Sequence, residues 1–175
     1  MNPFWFPTMI LLLLLLMFIA VCVYGAGRDN IDRRTLPTFS LQRFMGRWYE
    51  IARFDHTFER GMSRVTADYV LSPDGAVEVV NSGMRGSRRF TLRGRAKMTR
   101  HTGRLRVSFF WIFYSDYNIL EMAPDGRWAL VGSRSPRYLW ILARTPSLPE
   151  AELEHIVSLA DGRGYETQNL IYVEQ

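Results

Sequence analysis

Short alternations of apolar and polar positions recur along the chain, and they predict a succession of β-strands. From Gly46 to Phe54 the alternation places Trp48, Glu50, Ala52 and Phe54 on one face and Tyr49, Ile51 and Arg53 on the other. Arg64 to Leu71 sets Val65, Ala67, Tyr69 and Leu71 against Arg64, Thr66, Asp68 and Val70. The turn Ser72-Pro73-Asp74-Gly75 then leads into Ala76 to Val80, which makes a hairpin. Phe90 to Lys97 has Leu92, Gly94, Ala96 and Met98 on one face and Thr91, Arg93, Arg95, Lys97 and Thr99 on the other, and Arg104 to Phe110 repeats the scheme. A dense aromatic connection, Trp111 to Tyr117, precedes a second hairpin, Tyr117 to Met122 and Arg127 to Gly132, turned by Ala123-Pro124-Asp125-Gly126. Arg137 to Arg144 is the eighth strand. The period then changes: Leu153, Ile156, Val157 and Ala160 recur at helical spacing and predict a helix over about 149–161, stopped by Gly162. Leu170 to Val173 is a short final strand. The pattern predicts an all-β fold: an eight-stranded up-and-down antiparallel barrel with one C-terminal helix packed on its outside.

Ahead of the strands lies a leader. Met9 to Tyr24 holds no charged residue and includes six consecutive leucines. It is shorter than the roughly 20 residues of a spanning helix and suits a signal for export. The expected organisation is therefore a leader at 1–27, a polar tether at 28–40 and a barrel domain at 41–175. Cys22 is the sole cysteine, so it cannot form a disulfide within the chain. Ile19 and Ala20 suit a lipidation signal ending at Cys22, whereas Val21 departs from the small residue such a signal carries. The alternative is ordinary cleavage after Gly25.

Lys and Arg total 22 against 17 Asp and Glu, a net charge of +5. Nine basic residues and no acidic one lie between Val79 and Ser115. Alternation puts Arg93, Arg95 and Lys97 on the outer wall, either as a solvated face or as a surface for anionic headgroups. A polar outside around an apolar inside excludes a barrel that spans a membrane. Nucleic acid is not an expected partner, because an exported chain meets little of it. His56, His101 and His155 are scattered over a loop, a turn and a helix. With no nucleophile, metal or phosphate motif, neither catalysis nor a cofactor nor a metal is expected.

An eight-stranded barrel can be filled by its side chains or can leave room for one small ligand. Gly94, Ala96, Ala52 and Ala67 are small at positions assigned to the inside and leave space there. Phe54, Tyr69, Phe109, Tyr117, Tyr138, Trp140 and Leu142 are the expected larger walls, so the cavity would take an apolar molecule. The competing reading is that these aromatics fill the core. Glu50 is the one carboxylate expected to face inward, either orienting a ligand or joining a buried network with Tyr or Arg.

Two segments at opposite ends of the domain share one resemblance. Phe44-Met45-Gly46-Arg47-Trp48-Tyr49-Glu50-Ile51-Ala52-Arg53-Phe54, continued by Asp55 to Gly61, resembles the opening of the lipocalins, and Tyr138-Leu139-Trp140-Ile141-Leu142-Ala143-Arg144-Thr145-Pro146 resembles their last barrel strand. The likeness is to the bacterial outer-membrane lipoprotein subgroup, related to apolipoprotein D, and spans roughly Leu41 to Val173. It implies a barrel floor made by Gly46, Trp48 and Arg144, with the guanidinium over the indole. It also implies a lid over Asp55 to Ser63, Phe58 and the Trp111 segment near the mouth, and ligand contacts by Trp140, Tyr138, Tyr117 and Tyr114. The implied ligand is a fatty acid, lysophospholipid or similar amphiphile. The implied setting is the bacterial envelope, on the outer membrane surface facing the periplasm or as a soluble exported form, with pairing of two copies left open. A few lipocalins are enzymes, so an enzyme acting on a lipid or small hydrophobic substrate is the alternative function. Two departures stand out: Pro136-Arg137-Tyr138 where an Asp-Tyr motif is usual, and Trp111-Ile112 where a small or Pro-containing step is usual.

Overall fold

The computed structural model describes residues 31–110 and 113–175; the leader with Cys22, residues 28–30 of the tether and Trp111-Ile112 lie outside the described residues. A short helix α1 (Leu41–Phe44) leads into β1 (Gly46–Phe54), followed by β2 (Ser63–Leu71), β3 (Val77–Arg85), β4 (Arg88–Met98), β5 (Arg104–Phe110), β6 (Phe113–Met122), β7 (Trp128–Gly132) and β8 (Leu139–Ala143). Helix α2 (Glu150–Gly162) and a small strand β9 (Leu170–Tyr172) complete the fold. From β1 to β8 each strand pairs antiparallel with the next, and β1 also pairs with β8. The sheet thus closes into the expected eight-stranded barrel, with β9 added beside the upper half of β1. Strands β3, β4 and β6 extend beyond their predicted bounds towards one end of the barrel, where alternation alone gave no signal.

Two cores result. Inside the barrel, Trp48, Tyr69, Val79, Leu105, Ile119 and Leu142 belong to one cluster with Phe44 of α1. Outside it, Ile156 and Ala160 of α2 bury against Leu120, Leu130 and Ile141. The helix opens with Glu150 and Glu152 in its first turn, which suits the positive end of its dipole. Glu152 also accepts hydrogen bonds from Arg127 and from the Trp128 indole, tying the helix start to β7.

Two expectations are corrected. In β1 the alternation breaks at a β-bulge: Glu50 lies opposite Leu142 and Ala52 opposite Ile141, so Ile51 is an extra residue. Beyond it the faces exchange. Arg53 lies opposite Trp140 and turns inward, while Ala52 and Phe54 turn outward beneath α2 and Tyr165. Residues 31–40, read as tether, instead strap the barrel. Ile31 buries in the outer cluster, and Leu36 and Phe39 pack on the inner one. The Leu36 amide donates to the Ile119 carbonyl, and the Asp32 amide to that of Arg163. Arg34 holds the half-buried Asp32 carboxyl below the usual range, at about 2.

Candidate functional site

The floor is built first. Ser40 caps α1 by accepting from the Arg43 amide, and α1 drives Phe44 into the bottom of the barrel, 5.0 Å from the Trp48 ring. Trp48 is fully buried and its indole N–H donates to the Phe44 carbonyl at 2.8 Å. Arg144 lies 3.7 Å from the centre of that ring and donates to the carbonyls of Arg47, Arg43 and Met45. Gly46 has φ +94, and a Cβ there would come within 3.4 Å of the Arg144 guanidinium. The positive φ is what calls for glycine at this position.

Above the floor lies a cavity of about 500 Å³ that opens at the far end of the barrel. That is the size of a site for one small molecule. Trp140, Tyr138, Tyr117, Phe109 and Leu142 line it, as assigned from the sequence. Tyr114 borders it, but its ring sits 4.4 Å from the Lys97 ammonium, a residue assigned to the outer wall. Phe54 does not reach the cavity, because the bulge has turned it outward against Tyr165. Ala67 leaves space inside, as expected, whereas the room above Gly94 is taken up by the Phe109 ring. A Cβ at Gly94 would meet the Phe109 ring at 2.5 Å, so glycine is what lets that ring lie across β4.

The aromatics form a continuous path from mouth to floor. Phe58 stacks on His56 at 3.9 Å, His56 adjoins Trp140 at 5.6 Å, and Trp140 adjoins Tyr117 at 6.3 Å. The Tyr117 hydroxyl meets that of Tyr69 at 2.7 Å, and Tyr69 in turn contacts Phe44. Burial pushes both phenols above their ordinary range, so they remain neutral donors and acceptors. A flexible apolar chain is matched by such a wall, which is apolar over most of its length with hydroxyls only at intervals.

One stretch of wall is charged. Arg53 donates to the Glu50 carboxyl and to the Glu59 carbonyl, each at 2.7 Å. His56 lies 2.9 Å from the Glu59 carboxylate, which also receives the Trp140 indole N–H at 3.4 Å. All four charged or titratable residues are buried, and Glu50 and Glu59 border the cavity. The sequence identified Glu50 alone. Arg53, His56 and Glu59 were hidden because the bulge and the fold of the lid bring them inward; the only local signal was the His-x-x-Glu spacing at 56 and 59. Among the described residues, no group of His, Cys, Asp and Glu is arranged to hold a metal ion.

Burial pushes the Glu50 carboxyl well above the usual carboxylate range; Glu59 adds to this and Arg53 opposes it. The folded protein therefore retains a proton that the unfolded chain gives up above about pH 4.3. Stability from this group is complete below that value and is lost as pH rises towards the folded-state pKa. Glu50→Gln, which mimics the neutral carboxyl, is expected to gain on the wild type as pH rises from about 5 to about 8. Urea midpoints across that range check it, and a constant difference would show Glu50 ionised throughout.

A lipocalin-like domain model matches residues 39–175. The chain is 42% identical over 141 residues to the outer membrane lipoprotein Blc of Citrobacter freundii, covering 78% of this chain and 80% of that protein. It is 38% identical over 148 residues to the Blc lipoprotein of Vibrio cholerae, covering 81% and 86%. Among solved structures, insecticyanin from the tobacco hornworm Manduca sexta matches with a TM-score of 0.69 at 16% identity, over 82% of this chain and 85% of its own. That likeness concerns the fold alone.

Proposed function

The chain belongs to the lipocalin family, and on that premise we propose that its cavity holds one fatty acid, lysophospholipid or similar amphiphile. The family binds small hydrophobic molecules. The observation that carries the narrower reading is the aromatic path from Phe58 to Tyr69 along a cavity of about 500 Å³ open at one end. An acyl chain laid along that path would be removed from water at a gain on the order of 25 cal/mol per Å². The role is storage or transport without chemical conversion. The names of the Blc relatives support an exported protein of the bacterial outer membrane. Cys22 is the candidate anchor, and removal of the leader after Gly25 would yield the soluble form.

The test is native mass spectrometry of residues 28–175 purified without detergent, followed by extraction of whatever lipid accompanies the protein. One acyl-chain lipid per chain is expected. Trp140→Ala should retain the fold and bind added fatty acid or lysophospholipid at least about tenfold more weakly, equivalent to about 1.4 kcal/mol. An empty, folded protein that ignores both lipids would overturn the proposal.

A further inference from the structure

The up-and-down order of the strands gathers three described connections at the open end, residues 55–62, the β3–β4 turn and residues 133–138, together with the start of β6. Two phenylalanines stand out of this rim, Phe58 at 49% exposure and Phe113 at 76%, and both border the cavity entrance. Single exposed apolar residues are ordinary on a protein surface. Here, however, the rim also carries exposed arginines, Arg85, Arg88 and Arg89 at the β3–β4 turn and Arg134 and Arg137 between β7 and β8. Arg85 and Arg88 lie 5.2 and 5.3 Å from the centre of the Phe90 ring, which leaves an aromatic and its two cations together at the tip. The acids of the lid are already engaged, Asp55 by Arg60 at 2.8 Å and Glu59 by His56. The rim therefore presents aromatic tips within a positive surround at the mouth of the cavity.

We propose that this open end docks on an anionic phospholipid bilayer. Phe58 and Phe113 enter the boundary between headgroups and acyl chains, and the arginines of the β3–β4 turn and of residues 133–138 take lipid phosphates. Amphipathic surfaces of this composition bind by apolar insertion together with attraction to anionic lipid. A lipid could then pass between bilayer and cavity without crossing water. The docking deepens the lipid-binding reading and rests on it only for its purpose.

Residues 31–175 contain the closed sheet and both cores, so residues 28–175 serve as the folded protein, free of any leader or acyl chain. Co-sedimentation with vesicles of phosphatidylcholine, and of an equal mixture of phosphatidylcholine and phosphatidylglycerol, measures binding. Attachment to the mixed vesicles alone is expected, weakening as salt is raised. Arg88→Glu with Arg89→Glu should reduce it by at least about tenfold while leaving fatty-acid affinity in solution unchanged. Because Cys22 is the sole cysteine and lies in the leader, Phe113→Cys accepts an environment-sensitive dye specifically, and Asp74→Cys at the opposite end serves as control. A blue shift at 113 but not at 74 is expected on vesicle binding. Equal binding to neutral vesicles, or shifts at both or neither site, would overturn the docking. No docking by the unsubstituted protein, with its solution lipid affinity intact, rejects this inference and spares the lipid-binding reading; docking by that protein without lipid affinity does the reverse.

Discussion

Trp48→Ala is expected to cost about 3–5 kcal/mol of folding stability, the range for emptying a large buried aromatic site. Trp48 has no exposed surface, and its neighbours cannot collapse into the space it would leave. Arg144 is held by three carbonyls, Phe44 by α1, and Tyr69 by its hydroxyl contact with Tyr117. The cation–π contact accounts for about 0.5–2 kcal/mol of the loss, so packing dominates. Trp48→Phe separates the two contributions. It keeps an aromatic face under Arg144 but leaves the Phe44 carbonyl without its 2.8 Å donor, and an intermediate loss is expected. Urea unfolding measures both. A Trp48→Ala loss below about 1 kcal/mol would show that the indole does not hold the floor together.

The second large effect is expected at Arg53. Arg53→Ala removes the donor shared by two buried acceptors and should cost about 2–6 kcal/mol, because each buried acceptor left without its partner costs about 1–3 kcal/mol. The Glu50 carboxyl and the Glu59 carbonyl would each lose a 2.7 Å donor. Arg53→Lys supplies charge without a planar fork that reaches both acceptors, so it is expected to rescue only part. The double change Arg53→Met, Glu50→Gln removes the cation together with the carboxyl it donates to and should recover part of the loss. Thermal or urea unfolding of the four proteins gives the coupling directly. If the double change is no better than Arg53→Ala, the pair itself is not what the arginine supports.

These two sites differ in how far the sequence disclosed them. Trp48, Gly46 and Arg144 were legible because a rigid local motif and the last strand sit at fixed places on any barrel of this kind. Arg53 was not, since alternation counts residues and a bulge at Ile51 adds one to β1 without altering the residue types. The same miscount placed Phe54 in the cavity. Strands β2 to β5 alternate without interruption over most of their lengths, so the inner positions Ala67, Tyr69, Gly94 and Phe109 were read correctly. Tyr114 borders the opening, but the cation–π contact of its ring with Lys97 of β4 joins residues too far apart for a local period to register. The strap at 31–40 looked like tether because its composition is polar; three apolar side chains, Ile31, Leu36 and Phe39, suffice to hold it.

Closure of the ring joins β1 to β8, so Tyr49 meets Ala143 across most of the domain's length. Every other strand pair of the ring is a neighbour in sequence and can zip from its own turn. Bringing such distant segments together must overcome loop-closure entropy before any contact repays it, which places folding in the slow regime of milliseconds to seconds typical of non-local β proteins. Until β8 emerges, β1 is an open edge with unpaired amides and carbonyls. A chain delivered in order from its N-terminus thus carries a sticky strand for nearly its whole passage, and its yield in the cell is governed by how well that edge is shielded during synthesis.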